Sequence, residues 1–378
     1  MIKPIYLDYA ATTPVDPTVA KKMTQYLMPG GIFGNASSTH VFGQEAKRAI
    51  EEARHQVAQS IHAASNEIIF TSGATESDNL AIKGIAKLYQ QKGKHIVTLK
   101  TEHSAVLDSC QHLEKEGFCV TYLSPESNGL LDLEKLRIAL RPDTILVSIM
   151  HVNNEIGVIQ DIDSIAQIIK ERDILFHVDA AQSIGKVAIN IKQIPLDLVS
   201  LSSHKSYGPK GIGALYIRSK PRVRVGAQIH GGGHESGMRS GTLAIHQIVG
   251  MGEAFQLAIE KKEQDYQKIS ALKKYFYEAL HKKFHVRMNG DEEKSVPHIL
   301  NCRFKNIKAD HFIKIFPEIA VSKGSACHSK GEEPSYVLRE LGLTNEEANH
   351  SLRFSFGRYT TKEELEEVIK RMGVLLEV

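Results

Sequence analysis

The stretch Ile68-Ile-Phe-Thr-Ser-Gly-Ala-Thr-Glu-Ser-Asp-Asn-Leu-Ala-Ile-Lys-Gly-Ile-Ala-Lys-Leu-Tyr-Gln-Gln91 holds three patterns in sequence. Ile68–Phe70 is a short apolar run. Thr71 to Thr75 is a turn of small residues. From 75 to 91, Ala81, Ile85 and Leu88 recur at helical spacing. A strand, a tight turn and a helix make the repeating unit of an α/β fold. The same alternation extends both ways. Upstream, Asp16-Pro17 is an N-cap and first-turn pair, and Gly30-Gly31 is placed to stop that first helix. Ala46, Ala49, Ile50, Ala53, Val57 and Ile61 give 43–62 one apolar face. Downstream, the runs Ile96-Val97, Ile145–Val147, Ile174–Phe176 and Leu198-Val199 follow, with a helix predicted at 104–117. The expectation is an α/β domain with a mostly parallel sheet over 15–258.

The last third reads differently. A helix is predicted at about 263–284, then a strand-like run from His298 to Phe304. A C-terminal helix opens with the capping box Thr361-x-x-Glu364. Residues 1–14 and 259–378 are expected to form a smaller α+β domain.

Composition bounds the function. The chain has 378 residues, 42% hydrophobic and 24% charged, an ordinary globular balance that supports two or three domains. The net charge of +3 offers no basic stripe for nucleic acid. No stretch approaches the ~20 apolar residues of a membrane span. No secretory pattern opens the chain, so a cytoplasmic setting is expected. Four cysteines, Cys110, Cys119, Cys302 and Cys327, lack CxxC spacing, so neither a disulfide scaffold nor a structural zinc site is expected. No metal site is predicted.

The strongest internal signal is where polar residues fall. In open α/β sheets, ligands bind beyond the carboxyl ends of the strands. Here Thr71–Thr75, Glu102-His103, His151 with Asn153-Asn154, Asp179 with Gln182, and Ser202 with His204-Lys205 each follow an apolar run. Thr71–Thr75 suits either an ordinary turn or a cradle of backbone N–H groups for an anion. Asp179 suits a helix cap or a buried carboxylate facing a cationic ring nitrogen. His103 suits a packed histidine or one stacked on a planar ligand. A strand-end lysine beside His204, out of water, has a lowered pKa and can form a Schiff base. Phosphate cradle, ring-facing carboxylate and reactive lysine together describe a pyridoxal 5′-phosphate (PLP) site.

A second constellation is Val321-Ser-Lys-Gly-Ser-Ala-Cys327-His-Ser-Lys-Gly-Glu-Glu-Pro334. Its Gly, Ser and Pro mark a loop. Lys323, His328 and Lys330 favour a thiolate at Cys327, whereas Cys110 and Cys302 lie in apolar segments. His230-Gly-Gly-Gly-His234 is no helical metal face, because three glycines separate its histidines. The glycine run instead lets the backbone bend sharply or approach another surface.

These residues resemble the cysteine desulfurases of the IscS/NifS type, class V aminotransferase-like PLP enzymes. The resemblance covers essentially the whole chain. It rests on Tyr6 to Pro14, Phe33-Gly-Asn35, Thr71 to Ser77, Thr101-Glu-His103, His151 to Gly157, His177-Val-Asp179, Ser203-His-Lys205, Tyr207 to Gly213, His230 to Thr242, Gly324-Ser-Ala-Cys327 and Arg353-Phe-Ser355. Gly-Ser-Ala-Cys and Arg-Ser-Gly-Thr242 point to the IscS-like branch. The fold implied is that of the aspartate aminotransferase-like PLP transferases.

The resemblance implies roles residue by residue. Lys205 would hold PLP. Ala74, Thr75, Ser202 and His204 would bind its phosphate, joined by Thr242 from the second subunit of a homodimer. Asp179 would pair with the pyridine nitrogen, Gln182 would touch the ring hydroxyl, and His103 would stack on the ring and move protons. Asn154 and Arg353 would hold the carboxylate of L-cysteine. Cys327 would take the sulfur as a persulfide and pass it to an acceptor such as an Fe–S scaffold or a tRNA-thiolation protein. Selenocysteine lyase or cysteine sulfinate desulfinase activity is the alternative reading. This chain departs from the family pattern at Ala36, Lys323 and His328, where Pro, Ser and Thr are commoner.

Overall fold

The computed structural model describes residues 4–324 and 333–374. Strand β1 (Ile5–Tyr6) belongs to a small outlying sheet. The next seven form the central sheet: β2 (Ile68–Thr71), β3 (His95–Leu99), β4 (Cys119–Leu123), β5 (Thr144–Ser148), β6 (Leu175–Asp179), β7 (Leu198–Ser202) and β8 (Gly213–Ile217). Their spatial order is β2-β8-β7-β6-β5-β3-β4. Strand β8 runs antiparallel to both neighbours, β2 and β7, and the other pairings are parallel. The five expected runs are all strands of this sheet. The sequence reading missed β8, which opens on a glycine, and β4, a half-exposed edge strand.

Seven helices accompany the sheet in chain order, α1 (Pro17–Thr24), α2 (Val41–Gln59), α3 (Ala74–Tyr89), α4 (Ser104–Lys115), α5 (Leu133–Ala139), α6 (Ile162–Lys170) and α7 (Ile245–Glu260), and α8 (Lys262–Phe284) follows into a second core. Strands β2, β3, β5, β7 and β8 are buried at every position, as strands covered on both faces must be. Side chains alternate across the pleat. Ile69, Ile96, Leu146, Leu198 and Leu215 join the core against α3 and α4. Phe70, Val97, Val147, Val199 and Ala214 join the core against α2, α6 and α7. Each such buried Leu, Ile or Phe side chain contributes roughly 1.5–3 kcal/mol. Asp16 caps α1 as expected, accepting from the Thr18 N–H at 2.9 Å. That helix ends well before Gly30, because reverse-turn bonds from Leu27 N–H to Thr24 O and from Gly31 N–H to Met28 O take over.

The second core gathers Ile5, Leu7, Phe276 of α8, Leu300, Phe312, Phe354 and Phe356. Strands β9 (Arg287–Met288), β10 (Ile299–Arg303) and β12 (Ser351–Ser355) form an antiparallel sheet there, and β1 pairs in parallel with β11 (Ile319–Ala320). Phe276 meets Phe354 and Phe356 edge to face, with ring centroids 5.1 and 5.8 Å apart. The capping box at Thr361 and Glu364 forms reciprocally. From this core, residues 8–16 cross to the central sheet as a strap. Cys110 and Cys302 are buried, but Cys119 is exposed at the start of β4 and accepts from Arg141 at 3.2 Å. Among the described residues, only the first two are therefore packed cysteines.

The segment from His230 to Thr242 is held by buried charge. Gly231, Gly232 and Gly233 take φ of 135°, 57° and 68°, the conformation the glycine run permits. Glu235 then meets Arg54 of α2 in a fork, both bonds 2.7 Å, and also accepts from the Phe70 N–H at 2.7 Å. Glu235→Gln should cost about 3 kcal/mol, because it leaves the half-exposed Glu51 at 3.3 Å as the remaining carboxylate for Arg54. The double variant Arg54→Met, Glu235→Gln should recover part of that loss. Urea unfolding of the three proteins checks both statements. His151 supplies a pH prediction. Burial holds its imidazole down to about 4. Between the ordinary value of 6.5 and about 4, the unfolded chain takes a proton that the folded chain refuses. Stability therefore falls as pH drops through that window. His151→Gln should remove up to about 3 kcal/mol of this loss, read from urea unfolding at neutral and acid pH.

Candidate active site

The six parallel strands end at one rim, where a cavity of about 360 Å³ opens. Ala74, Thr75, His103, Asn154, Asp179, Gln182, Ser202, His204, Lys205 and Arg353 all line it. The structure thus brings together candidates spread over most of the chain.

One end of the cavity is the start of α3. Gly73 precedes it with φ of 155°, and no side chain caps the helix. Its first N–H groups and the helix dipole can therefore receive an anion. Ser202 and His204 border this end from β7. His204 shares a 3.0 Å hydrogen bond with the Thr12 hydroxyl, and burial pushes its imidazole down to about 4, so it is neutral at pH 7. Glu76 also lines the cavity. Burial works against its charge, but Arg239 at 2.9 Å and the Ser72 N–H at 2.7 Å hold it below the usual carboxylate range.

The middle is built around Lys205. Its Nζ donates to the carbonyls of Ala10 and Ala11 in the strap, at 2.6 and 2.8 Å. Asp179, at the end of β6, accepts from the Ala181 N–H at 2.9 Å. It caps a turn, and no regular helix follows it. Burial pushes its carboxyl up, against the pull of His103, that N–H and Lys205. His103 is the N-cap of α4: its Nδ1 accepts from the Ala105 N–H at 3.1 Å, which leaves Nε2 to carry the proton in the neutral ring. Gln182 donates from Nε2 to Ala10 O at 2.8 Å and accepts at Oε1 from Lys186 at 2.6 Å. Burial, then the charges of Lys205 and Arg353, push the Lys186 amine down to about 7.

Arg353 of β12 forms the far wall and is only 1% exposed. It donates to Asn154 O at 2.8 Å and to Asp8 Oδ1 at 2.7 Å. Its Nε has no hydrogen-bond partner among the described residues. Behind the rim lie two more acids, Asp78 and Glu102, each fully buried and pushed well above its ordinary range by burial first and the neighbouring acids after.

Two candidates lie elsewhere. Thr242 is exposed and does not line this cavity. Cys327 lies outside the described residues, as does most of its loop. Asp8, Lys186 and Arg239 escaped the sequence reading. Asp8 sits in a strap with no periodicity. Lys186 lies four residues past Gln182, a one-turn spacing that could have flagged it.

An uncapped helix start, an amine and a buried carboxylate in one enclosed cavity fit PLP, with its phosphate, aldehyde and basic ring nitrogen. Comparison with known proteins agrees. The family described as aminotransferase class-V matches residues 5–368. "Cysteine desulfurase IscS" of Vibrio vulnificus is 58% identical over 375 residues, covering 99% of this chain and 93% of that protein. "Cysteine desulfurase IscS" of Klebsiella pneumoniae is 57% identical over 380 residues, covering 99% and 94%. Among solved structures, a "NifS-like protein" has a TM-score of 0.92 at 34% identity and 99% coverage of each chain. Another, "SspA in complex with cysteine", has a TM-score of 0.85 at 38% identity, covering 95% of this chain and 100% of that one. The chain belongs to the class-V aminotransferase family, in its cysteine desulfurase branch, and pyridoxal 5′-phosphate is its cofactor.

Proposed function

We propose that this cavity removes sulfur from L-cysteine with the following division of labour. The observation that carries the reading is that residues from the strand ends and from β12 line a single cavity around Lys205. Bound there, PLP supplies an electron sink for the pair left on the substrate α-carbon. Lys205 holds the cofactor and, once released, takes the α-proton. Asp179 keeps the ring nitrogen protonated. Ala74 and Thr75, with Ser202 and His204, receive the phosphate at the start of α3. Thr242 adds to it from a partner subunit; its exposure and the exposed apolar side chains Leu27, Met28, Phe33, Val41 and Phe42 favour a homodimer. His103, protonated at Nε2, stacks on the ring and relays protons.

Arg353, aimed by Asp8 and the Asn154 carbonyl, binds the substrate carboxylate, for which a guanidinium fork is suited. Asn154 adds its side chain. The Cys327 thiolate attacks the substrate sulfur. A sulfur–sulfur bond forms, the carbon–sulfur bond breaks, and its electron pair takes a proton as alanine forms. The persulfide then passes to an acceptor protein of iron–sulfur cluster assembly or tRNA thiolation. No helix among the described residues is long and apolar enough to cross a membrane, and we place the reaction in the cytoplasm. We divide the chain into a PLP-binding domain at 15–258 and a second domain at 1–14 and 259–378, following the two cores.

Alanine and sulfide release from L-cysteine, with a reductant present, tests these roles. Lys205→Ala should lose a factor of about 10²–10⁴ or more, the usual worth of a positioned acid–base group. Cys327→Ala should still bind PLP and L-cysteine but form no protein persulfide. Full sulfur delivery by Cys327→Ala would sink the nucleophile assignment.

A further inference from the structure

Lys186 stands behind the cavity wall and touches the site through Gln182. Its residue is half-buried, its amine donates to Gln182, and no ion-pair partner faces it among the described residues. Buried amines without a carboxylate are costly, so this one calls for an explanation. Its contact supplies one. The Gln182 amide is gripped at both ends: Lys186 Nζ donates to Oε1 at 2.6 Å, while Nε2 donates to Ala10 O at 2.8 Å. The Ala10 carbonyl can only accept, which fixes Nε2 on its side and turns Oε1 toward Lys186, whose amine donates there in either charge state. The Ala10 carbonyl is shared, since Lys205 also donates to it at 2.6 Å. Lys186 is therefore the partner that belongs to Gln182 alone. With Oε1 occupied, what Gln182 can offer the cavity is the second hydrogen of Nε2. A charge-assisted bond at Oε1 also polarises the amide and strengthens that donor.

We propose that Lys186 is a positioning residue that clamps Gln182 so that it presents an N–H donor, never its oxygen, to the oxygen on the cofactor ring. The proposal rests on the reading that Gln182 meets that oxygen. A donor there stabilises the oxygen as an anion and so favours proton loss from the conjugated ring system.

The test is a pH titration of the visible absorption band of the PLP-loaded enzyme. Lys186→Met should raise the midpoint by about one pH unit, the worth of one hydrogen bond to a charged group. Lys186→Arg, which keeps a charged donor, should restore it. Lys186→Gln, whose amide can face Gln182 with either end, should move it part of the way, and it serves if the Met variant fails to fold. In a Gln182→Leu background, the Lys186→Met change should move the midpoint little further. An equal shift in both backgrounds would show a charge acting through space and overturn the clamp. If Gln182→Leu shifts the midpoint and neither Lys186→Met nor Lys186→Gln does, the clamp fails while the Gln182 reading stands. If Gln182→Leu itself shifts nothing, both fall.

Discussion

The carbonyls of Ala10 and Ala11 hold the Lys205 amine where the strand ends converge, and the rest of the site is arranged about that contact. Neither carbonyl belongs to the central sheet. They arrive on the strap, which is fixed at one end by the second core. There Leu7 is buried, the Ser355 N–H donates to Leu7 O at 2.7 Å, and the Ala10 N–H donates to Ser355 Oγ at 2.9 Å. At the other end, Thr13 donates twice to His204 O and accepts from the Tyr207 N–H. The lysine side chain is long and rich in rotamers, and ordering it opposes folding. Fixed acceptors at 2.6 and 2.8 Å offset that loss and set the amine's position before any ligand arrives.

Charge inside the site is graded by burial. Asp78 and Glu102 lie deepest, behind the cavity wall, and burial pushes both carboxyls well above the ordinary carboxylate range. Asp179 faces the cavity, where His103, the Ala181 N–H and Lys205 pull its carboxyl down; Glu102 has the Met150 N–H in its favour and Asp78 the Ser200 hydroxyl. Burial nonetheless pushes the Asp179 carboxyl up. A basic ring nitrogen brought beside Asp179 would then meet a carboxyl whose proton affinity burial has increased. His177 fits the same pattern from the neutral side. It lies between the Ser148 and Ser200 hydroxyls at 2.8 and 2.9 Å, and burial pushes it down to about 3, so it adds hydrogen bonds and no charge.

Local pattern made much of this legible before any coordinates. Ile68–Phe70 and the other apolar runs became strands because their neighbours are helices on both faces, which makes a parallel strand continuously apolar. The polar residues just past them shared a rim because parallel strands end on the same side. What stayed hidden was non-local. Strand β8 begins with Gly213, where an added Cβ would lie 2.7 Å from the Gly73 backbone; the glycine is there for close approach, and it disguises the strand. Asp8 is one carboxylate in an aperiodic segment, and only the fold places it 345 residues away in sequence against Arg353. Lys186 lies four residues past Gln182, but that spacing gains meaning only once the fold turns its amine onto the Gln182 amide. Resemblance carried the assignment of Thr242, which neither periodicity nor the cavity of this chain selects, whereas Cys327 is marked as a reactive thiol by its loop residues and by Lys323, His328 and Lys330.

The joint between the two cores explains why the site tolerates being built from both. Arg353 stands on β12 in the second core, while Lys205 follows β7 in the central sheet. Their separation is only as fixed as the packing between the two. Arg358 secures it. Its guanidinium donates to Asp16 at 2.7 Å and to Asp265 at 2.9 Å, and lies 4.3 Å from the Tyr207 ring centroid. Its backbone N–H donates to the Tyr207 hydroxyl at 2.6 Å. Tyr207 is two residues past Lys205 and takes a left-handed φ of 63°, a conformation that a non-glycine residue keeps only when its surroundings impose it. Bonds on both sides of it hold that conformation: the Tyr207 N–H donates to Thr13 Oγ1 at 2.8 Å and its carbonyl accepts from the Asp16 N–H at 2.9 Å. Burial opposes the guanidinium charge, but Asp265 and the other groups around it raise the Arg358 pKa. The spacing between Arg353 and Lys205 is thus tied to an ion cluster outside the cavity, and the groups inside need not hold the two cores together.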